Sequence, residues 1–478
     1  MNHKKLNSVF ASCTMLFILL ACAQTYSKKS IQLRQLLNER KFKQAFEFVY
    51  SPQFHQEKTL ELLRLLERGT VEHYAGQYYI SAKTFEQAKN LSDALYTVSL
   101  SKKALSYLIN DNSDLYYSLK FEQSQIRFYL TLNYMLLSQQ AKYACAYENG
   151  ELKYQKNDLK SAQNFLTMAR ATVLEWDTLL NQFKEFYAGK PIFKNDLMKY
   201  LLGSEIHRRQ SIVYDKQISL DLLKESADLL YKNYGLYESF NQKYIPYLAE
   251  FDNLQNFSQE KFQAEYFSPT TNTLNLLQLV KQSRNNISQS TQYVTLILES
   301  GTIAEKYEHV VTTPAGQKVN IPDIENIPNQ FDMKIEVTSP NQQKLVFDAP
   351  IVSPLSQIAY TSHLHLREKV LTKSETQKLL KQGLGAALLV AGASNSDSSA
   401  GLVMMSLGVA FQVFAQESDK ADIRYWSSLP SDIRIAKLEI AKGKYQFNVL
   451  IFQEDQLLDK IYLGEKWVND NGLLNFKI

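Results

Sequence analysis

One change of hydrophobic period divides this chain, and it constrains the fold more than any other feature. From about residue 30 to residue 267, apolar side chains recur at three- and four-residue spacing, as in Leu33, Leu36 and Leu37 and in Leu60, Leu62, Leu63, Leu65 and Leu66. That spacing gathers them on one face of a helix. From about residue 290, apolar and polar residues alternate, which sends successive side chains to opposite faces of a strand. Proline respects the same boundary: three of the eleven precede residue 266, and seven of the other eight fall between Pro269 and Pro354. The grammar predicts an α+β multidomain protein, α-helical over 30–267 and β-rich over 290–478.

In the second half, Gln292 to Glu299, Phe331 to Val337 and Lys344 to Phe347 are expected strands, with Ser356 to Leu366 continuing in the same manner. Ile433 to Ile440, Tyr445 to Phe452, Lys460 to Val468 and Leu473 to Ile478 follow. Turn residues at Lys442-Gly443-Lys444 and at Asp470-Asn471-Gly472 punctuate them as hairpins, so an antiparallel β-sandwich-like domain is expected. Residues 372–415 interrupt it as an inserted apolar helical hairpin, with Gly385 and Gly392 seven residues apart in one arm and Gly401 and Gly408 seven apart in the other. Its two arms, over 383–393 and 401–411, are shorter than the roughly 20 residues a bilayer demands. Burial against the β domain is the expected role, with a partner interface or membrane contact as alternatives.

The composition excludes several classes of function. With 45% apolar and 21% charged residues, the chain can bury large cores and is no disordered tail. A net charge of +4 is too small for a dedicated nucleic-acid binder. Three cysteines, Cys13, Cys22 and Cys145, cannot build a disulfide framework. Cys145 sits in Gln140 to Ala146, where helical spacing predicts a buried small filler.

Residues 1–21 place Lys4 and Lys5 ahead of the apolar run Met15 to Ala21, with no acidic residue, which is the layout of a secretory signal peptide. Leu19-Leu20-Ala21-Cys22 resembles the bacterial lipobox, although Leu20 stands where a small residue is more usual. The resemblance implies diacylation of Cys22 as lipid attachment, a lipidated N-terminus and linker over 22–29, and a membrane anchor without a spanning helix. Because Ala23 is not aspartate, the same resemblance implies the outer membrane, facing the periplasm.

Within the helical half, Gly69, Gly76, Tyr78, Phe85 and Ala88 have the spacing of a tetratricopeptide repeat and resemble one. Small residues let paired helices approach, and the rings of Tyr78 and Phe85 fill the space between hairpins. Glu72 and Asp93 depart from the pattern. Repeats of this kind imply protein binding; an irregular helical bundle is the alternative.

Chemistry is sparse. Gly383-Leu384-Gly385 lacks the strand and the third small residue that a dinucleotide fingerprint needs, so no cofactor is expected. His363-Leu364-His365 would set two imidazoles on one strand face, half of a metal site, but no third ligand follows at diagnostic spacing, and a solvated strand face is expected. No metal site and no enzyme are expected.

Ala421-Asp422-Ile423-Arg424-Tyr425-Trp426-Ser427-Ser428-Leu429-Pro430, with Leu438 and Gly443-Lys444-Tyr445, resembles a signature of an uncharacterised family of bacterial outer-membrane lipoproteins that join a tetratricopeptide-like helical half to a β-rich half. Ile423 replaces the usual threonine. The expectation for Asp422, Arg424, Trp426 and Pro430 is structural: Asp422 and Arg424 pair across one strand face or bond backbone groups, and Trp426 caps the sandwich. The family has no established activity, and the resemblance adds only a contextual link to the cell-wall synthesis machinery; the repeat spacing and the sparse chemistry lead to the expectation of an envelope scaffold or accessory factor, with envelope proteins as partners of the helical half. An envelope enzyme on glycan or peptide, resting on His363, His365 and Cys145, is the alternative from another class. A membrane-inserting protein, resting on 383–414, is the third.

Overall fold

A computed structural model describes residues 28–99, 115–186, 196–209, 213–232, 271–288, 293–313, 318–326, 331–364, 421–469 and 471–478, together with isolated positions such as Tyr26, Gly316 and Arg367. The chain is mixed α+β. Residues 28–38 form α1, followed by α2 (Phe42–Val49), α3 (Glu61–Tyr74), α4 (Tyr78–Ser99) and α5 (Lys120–Leu137). A hairpin of β1 (Lys142–Glu148) and β2 (Glu151–Lys156) precedes α6 (Leu159–Phe186), α7 (Leu197–Arg208), α8 (Val213–Lys232) and α9 (Thr271–Ser288). Then come β3 (Val294–Ser300), β4 (Lys306–Thr312), β5 (Lys318–Ile324), β6 (Asp332–Thr338), β7 (Lys344–Asp348) and β8 (Ile351–Ser353). A helix over 355–364 follows, and the chain resumes with β9 (Asp432–Leu438), β10 (Gly443–Gln453), β11 (Gln456–Val468) and β12 (Leu473–Lys477).

The described strands build two four-stranded sheets and two hairpins. The inner sheet has the order β12-β3-β9-β8 and the outer sheet the order β11-β10-β6-β7. Alternation along β3 and β9 decides what each face meets. Leu296, Leu298, Ala436 and Leu438 join Ile335, Val337, Phe447 and Val449 of the outer sheet in one core. Ile297, Ile433 and Ile435 point the other way, into a core shared with α3 to α9. The order of layers is therefore helices, inner sheet, outer sheet, and every residue of β3 and β9 is buried.

At the centre of the helices, α5 is buried from Phe121 to Leu137 without a break. A helix buried all round is normally apolar all round. This one carries Glu122, Gln123, Ser124, Gln125, Arg127 and Asn133, and they are bonded: Arg127 pairs with Asp93 at 2.9 Å, Ser124 donates to Asp196 at 2.8 Å, and Asn133 donates to Ser81 at 2.8 Å. Asp196 caps the N-terminus of α7 by accepting from the amide of Met198 at 3.0 Å.

Four expectations are corrected. Cys145 lies on β1, not on a helix, and is half-buried, its thiol facing the Lys153 carbonyl at 3.4 Å. The turn that makes this hairpin is Asn149-Gly150, both residues at positive φ, a pairing whose twist matches the flanking strands. Ser356 to Leu366 is helical as far as described, because Pro354 ends β8 and its carbonyl accepts the first helical bond, from Ile358 at 2.9 Å. The turns at 442–444 and 470–472 do not close hairpins: each carries the chain from one sheet to the other, and β12 pairs with β3 in parallel. The hairpin turn is Glu454-Asp455, at φ 46° and 66°, between β10 and β11. Residues 1–25, with Cys22, and most of 372–415 lie outside the described residues. Among the described residues no helix is long and apolar enough to cross a membrane.

Candidate functional site

The feature with the densest chemistry is the seam where residues 424–430 run across the helices. The segment is extended and then turns, with no sheet partner of its own. Its amides therefore need acceptors from elsewhere once buried. Four consecutive ones are met by side chains of the helical half. Tyr425 N donates to Tyr26 Oη at 3.1 Å, Trp426 N to Glu122 Oε1 at 3.4 Å, Ser427 N to Glu67 Oε1 at 2.7 Å and Ser428 N to Glu67 Oε2 at 2.9 Å. Tyr26 donates in return to the Tyr425 carbonyl at 2.6 Å, and Tyr74 donates to that of Ser428 at 3.1 Å.

Glu67 sits on α3 and Glu122 in the first turn of α5, whose capping box it completes by accepting from Leu119 N at 2.7 Å. Both carboxyls are raised above the usual range by burial, partly offset by these bonds and, at Glu122, by the charge of Lys306. A carboxylate that accepts two adjacent amides holds a peptide backbone without reading its side chains.

The side chain that anchors the segment is Trp426, which is fully buried. The structure corrects its expected place: it does not cap the sheets but enters the helical core. Its ring lies 5.7 Å from that of Phe85 and 5.9 Å from that of Tyr129, and Nε1 donates to Thr70 Oγ1 at 2.9 Å. Phe85 stacks on Tyr129 at 5.0 Å and is pressed so closely on Gly69 that a Cβ there would stand 2.9 Å from its ring. Gly76, at φ 75°, turns the chain between α3 and α4, Tyr78 opens α4, and Ala88 is buried in the same core. Asp422 and Arg424 pair at 2.8 and 2.7 Å, and Pro430 is buried. Burial opposes the charge on Asp422, but Arg424 and Lys306 overcome it and hold its carboxyl below the usual range.

Two further clusters extend the seam. His73 on α3 meets Asn133 at 2.6 Å and Glu299 on β3 at 3.0 Å, and Glu299 also accepts from Tyr129 at 2.7 Å and Asn475 on β12 at 3.0 Å. Burial again opposes ionisation of Glu299, and His73 with these donors keeps its carboxyl low. Glu205 on α7 holds Arg208 at 2.6 Å and Lys437 on β9. Burial pushes the Lys437 amine down to about 8 against the pull of Glu205.

Away from the seam, Asp323 on β5 gathers His309 at 2.9 Å, His363 at 3.2 Å and Arg367 at 3.7 Å. His363 is thus buried beside β5 rather than on a solvated strand face, and His365 lies outside the described residues. Among the described residues no three His, Cys, Asp or Glu side chains are placed to hold a metal. A polar cleft of about 210 Å³ between α9 and strands β7 and β9 is lined by Asn275, Gln282, Asp348, Lys437 and Glu439, among others.

The carboxylates of the seam carry no motif in the sequence; the one available signal is Glu67, four residues after Leu63 on the apolar face of α3. Comparison with family models, characterised proteins and solved structures returned no match.

Proposed function

We propose that this is a lipid-anchored lipoprotein of the outer membrane, facing the periplasm, that acts as a binding scaffold or accessory factor of the cell envelope. In this reading α3 to α8 are degenerate tetratricopeptide-like hairpins, and the two facing sheets are a β-sandwich. Cys22 carries the lipid, and envelope proteins, the cell-wall synthesis machinery among the candidates, are the partners. The observation that supports it is the seam: helices offering side-chain acceptors to four successive amides hold residues 425–428 as a helical-repeat groove holds a peptide. Here the groove is filled in cis, so it fixes the two halves as one body and leaves partners to the outer surfaces.

Two measurements test the reading. Palmitate labelling of the full chain should be lost in Cys22→Ala, and the same envelope proteins should co-purify from solubilised membranes in repeated captures. Labelling that persists in the variant removes the anchor; captures without a recurring partner remove the scaffold.

The grouping of His309, Asp323 and His363 favours one other reading, an envelope hydrolase acting on glycan or peptide. Hydrolysis of either substrate that disappears in His309→Gln/His363→Gln would replace the scaffold reading.

A further inference from the structure

Among the described residues the outer sheet ends in a long strand with no strand paired on its far side. Among the described residues β11 pairs only with β10, and it presents four exposed apolar side chains, Leu457, Leu458, Tyr462 and Trp467. The Tyr462 carbonyl faces away from β10, since it accepts from Arg40 at 3.4 Å. Arg40 is itself exposed and both its bonds are long, so another strand's amide can replace them at small cost. Open strands of this kind are templates for pairing, and proteins usually blunt them.

We propose that β11 pairs antiparallel with β11 of a second copy of this chain, joining two outer sheets into one continuous sheet about a two-fold axis between Tyr462 and Leu463. The charge order along the strand carries the inference. With that axis Asp459 falls opposite Lys466, Lys460 opposite Glu465, and Leu458 opposite Trp467, and each pairing occurs twice.

The faces agree as well. Lys466 and Asp459 lie opposite Tyr445 and Ile451, whose side chains turn toward the core shared by the sheets, while Glu465 and Lys460 lie opposite Gln446 and Leu450 on the other face. Opposed residues in an antiparallel pair share a face, so Asp459 and Lys466 meet as charges unpaired within the chain among the described residues, while Lys460 and Glu465 meet with Glu336 and Lys444 already beside them. An isologous contact of this form needs one self-complementary patch and closes at two subunits.

The test is a charge swap in the full chain, purified in mild detergent, with mass followed by sedimentation over about 0.1 to 100 µM. Asp459 and Lys466 suit it because neither forms an ion pair within the chain among the described residues. The unaltered protein should sediment at twice the monomer mass. Asp459→Lys and Lys466→Asp should each weaken the dimer at least about tenfold, and the double variant should restore it. A misfolding effect of the single variants would not be repaired by the second, so restoration marks pairing between copies. A monomer throughout the range, or a dimer indifferent to the single changes, overturns the proposal.

Discussion

The indole Nε1 of Trp426 donates to the hydroxyl of Thr70 at 2.9 Å across 356 residues of sequence. Thr70 passes its own proton to the Leu66 carbonyl at 2.9 Å, so the hydroxyl is free to accept. Trp426→Phe removes that bond and leaves a small void in a fully buried site. The expected loss is about 2–4 kcal/mol, measured as a lower denaturant midpoint with unchanged slope.

Glu67 accepts from two amides and from the Ser427 hydroxyl at 2.8 Å. Glu67→Ala strands all three donors in the interior. A loss of about 3–5 kcal/mol is expected, together with faster proteolysis near residues 424–430. Stability within about 0.5 kcal/mol of the parent would show that water or a neighbour replaces the carboxylate.

Gly69→Ala forces a methyl against the Phe85 ring at 2.9 Å, and about 1–3 kcal/mol should be lost through overpacking. Gly76→Ala meets no atom within 4 Å, so its cost comes from φ 75° alone and should be nearer 1 kcal/mol, about that of a strained left-handed residue. Equal losses at the two positions would remove the close approach as the cause.

Burial raises the Asp196 carboxyl from 3.8 to about 6, against bonds from Ser124, Met198 N and Gln125. The folded state then keeps a proton that the unfolded state has lost. The stability this group contributes is complete below about pH 4 and is lost as pH rises through 6, a swing of about 3 kcal/mol. In Asp196→Asn that part of the pH profile should be flat, which denaturation at about pH 4 and about pH 7 would reveal.

His55 has the opposite sign. Burial, with the charges of Lys29 and Arg64, lowers its ring from 6.5 to about 3, and neither ring nitrogen has a hydrogen-bond partner. It stacks on Tyr26 at 5.1 Å. Stability is complete above pH 6.5 and is lost as pH falls toward 3, by up to about 5 kcal/mol. His55→Phe keeps a ring in the stack and should resist acid better than the parent; an unchanged acid limb would mean that His55 does not control it.

The change of period near residue 268 was legible because each half is built from elements with one clear spacing. Leu62, Leu63 and Leu66 on α3, and the alternation along β3 and β9, announce their elements directly. What stayed hidden was relational. α5 is buried on every side yet polar at seven positions, so its sequence looks like a surface helix until the partners of Glu122 and Arg127 are known. The two inter-sheet turns use the same residues as hairpin turns, and nothing local states which sheet the next strand joins. Trp426 lies in an extended stretch among β elements, and its destination against Phe85 depends on the tertiary fold alone. His363 has different neighbours in sequence and in space: His365 adjoins it along the chain, whereas Asp323 lies 3.2 Å from it and also holds His309.

The distance in sequence between Glu67 and Ser428, 361 residues, sets a clock for the newborn chain. At about 5–20 residues per second, α3 is made roughly 20–70 s before the amides its carboxylate grips. During that interval Glu67 and the cleft awaiting Trp426 have nothing to hold, and Glu122 holds only Tyr116 and Leu119 beside it in sequence. The seam is therefore the last part of the helical half to close, after residue 428 has been made.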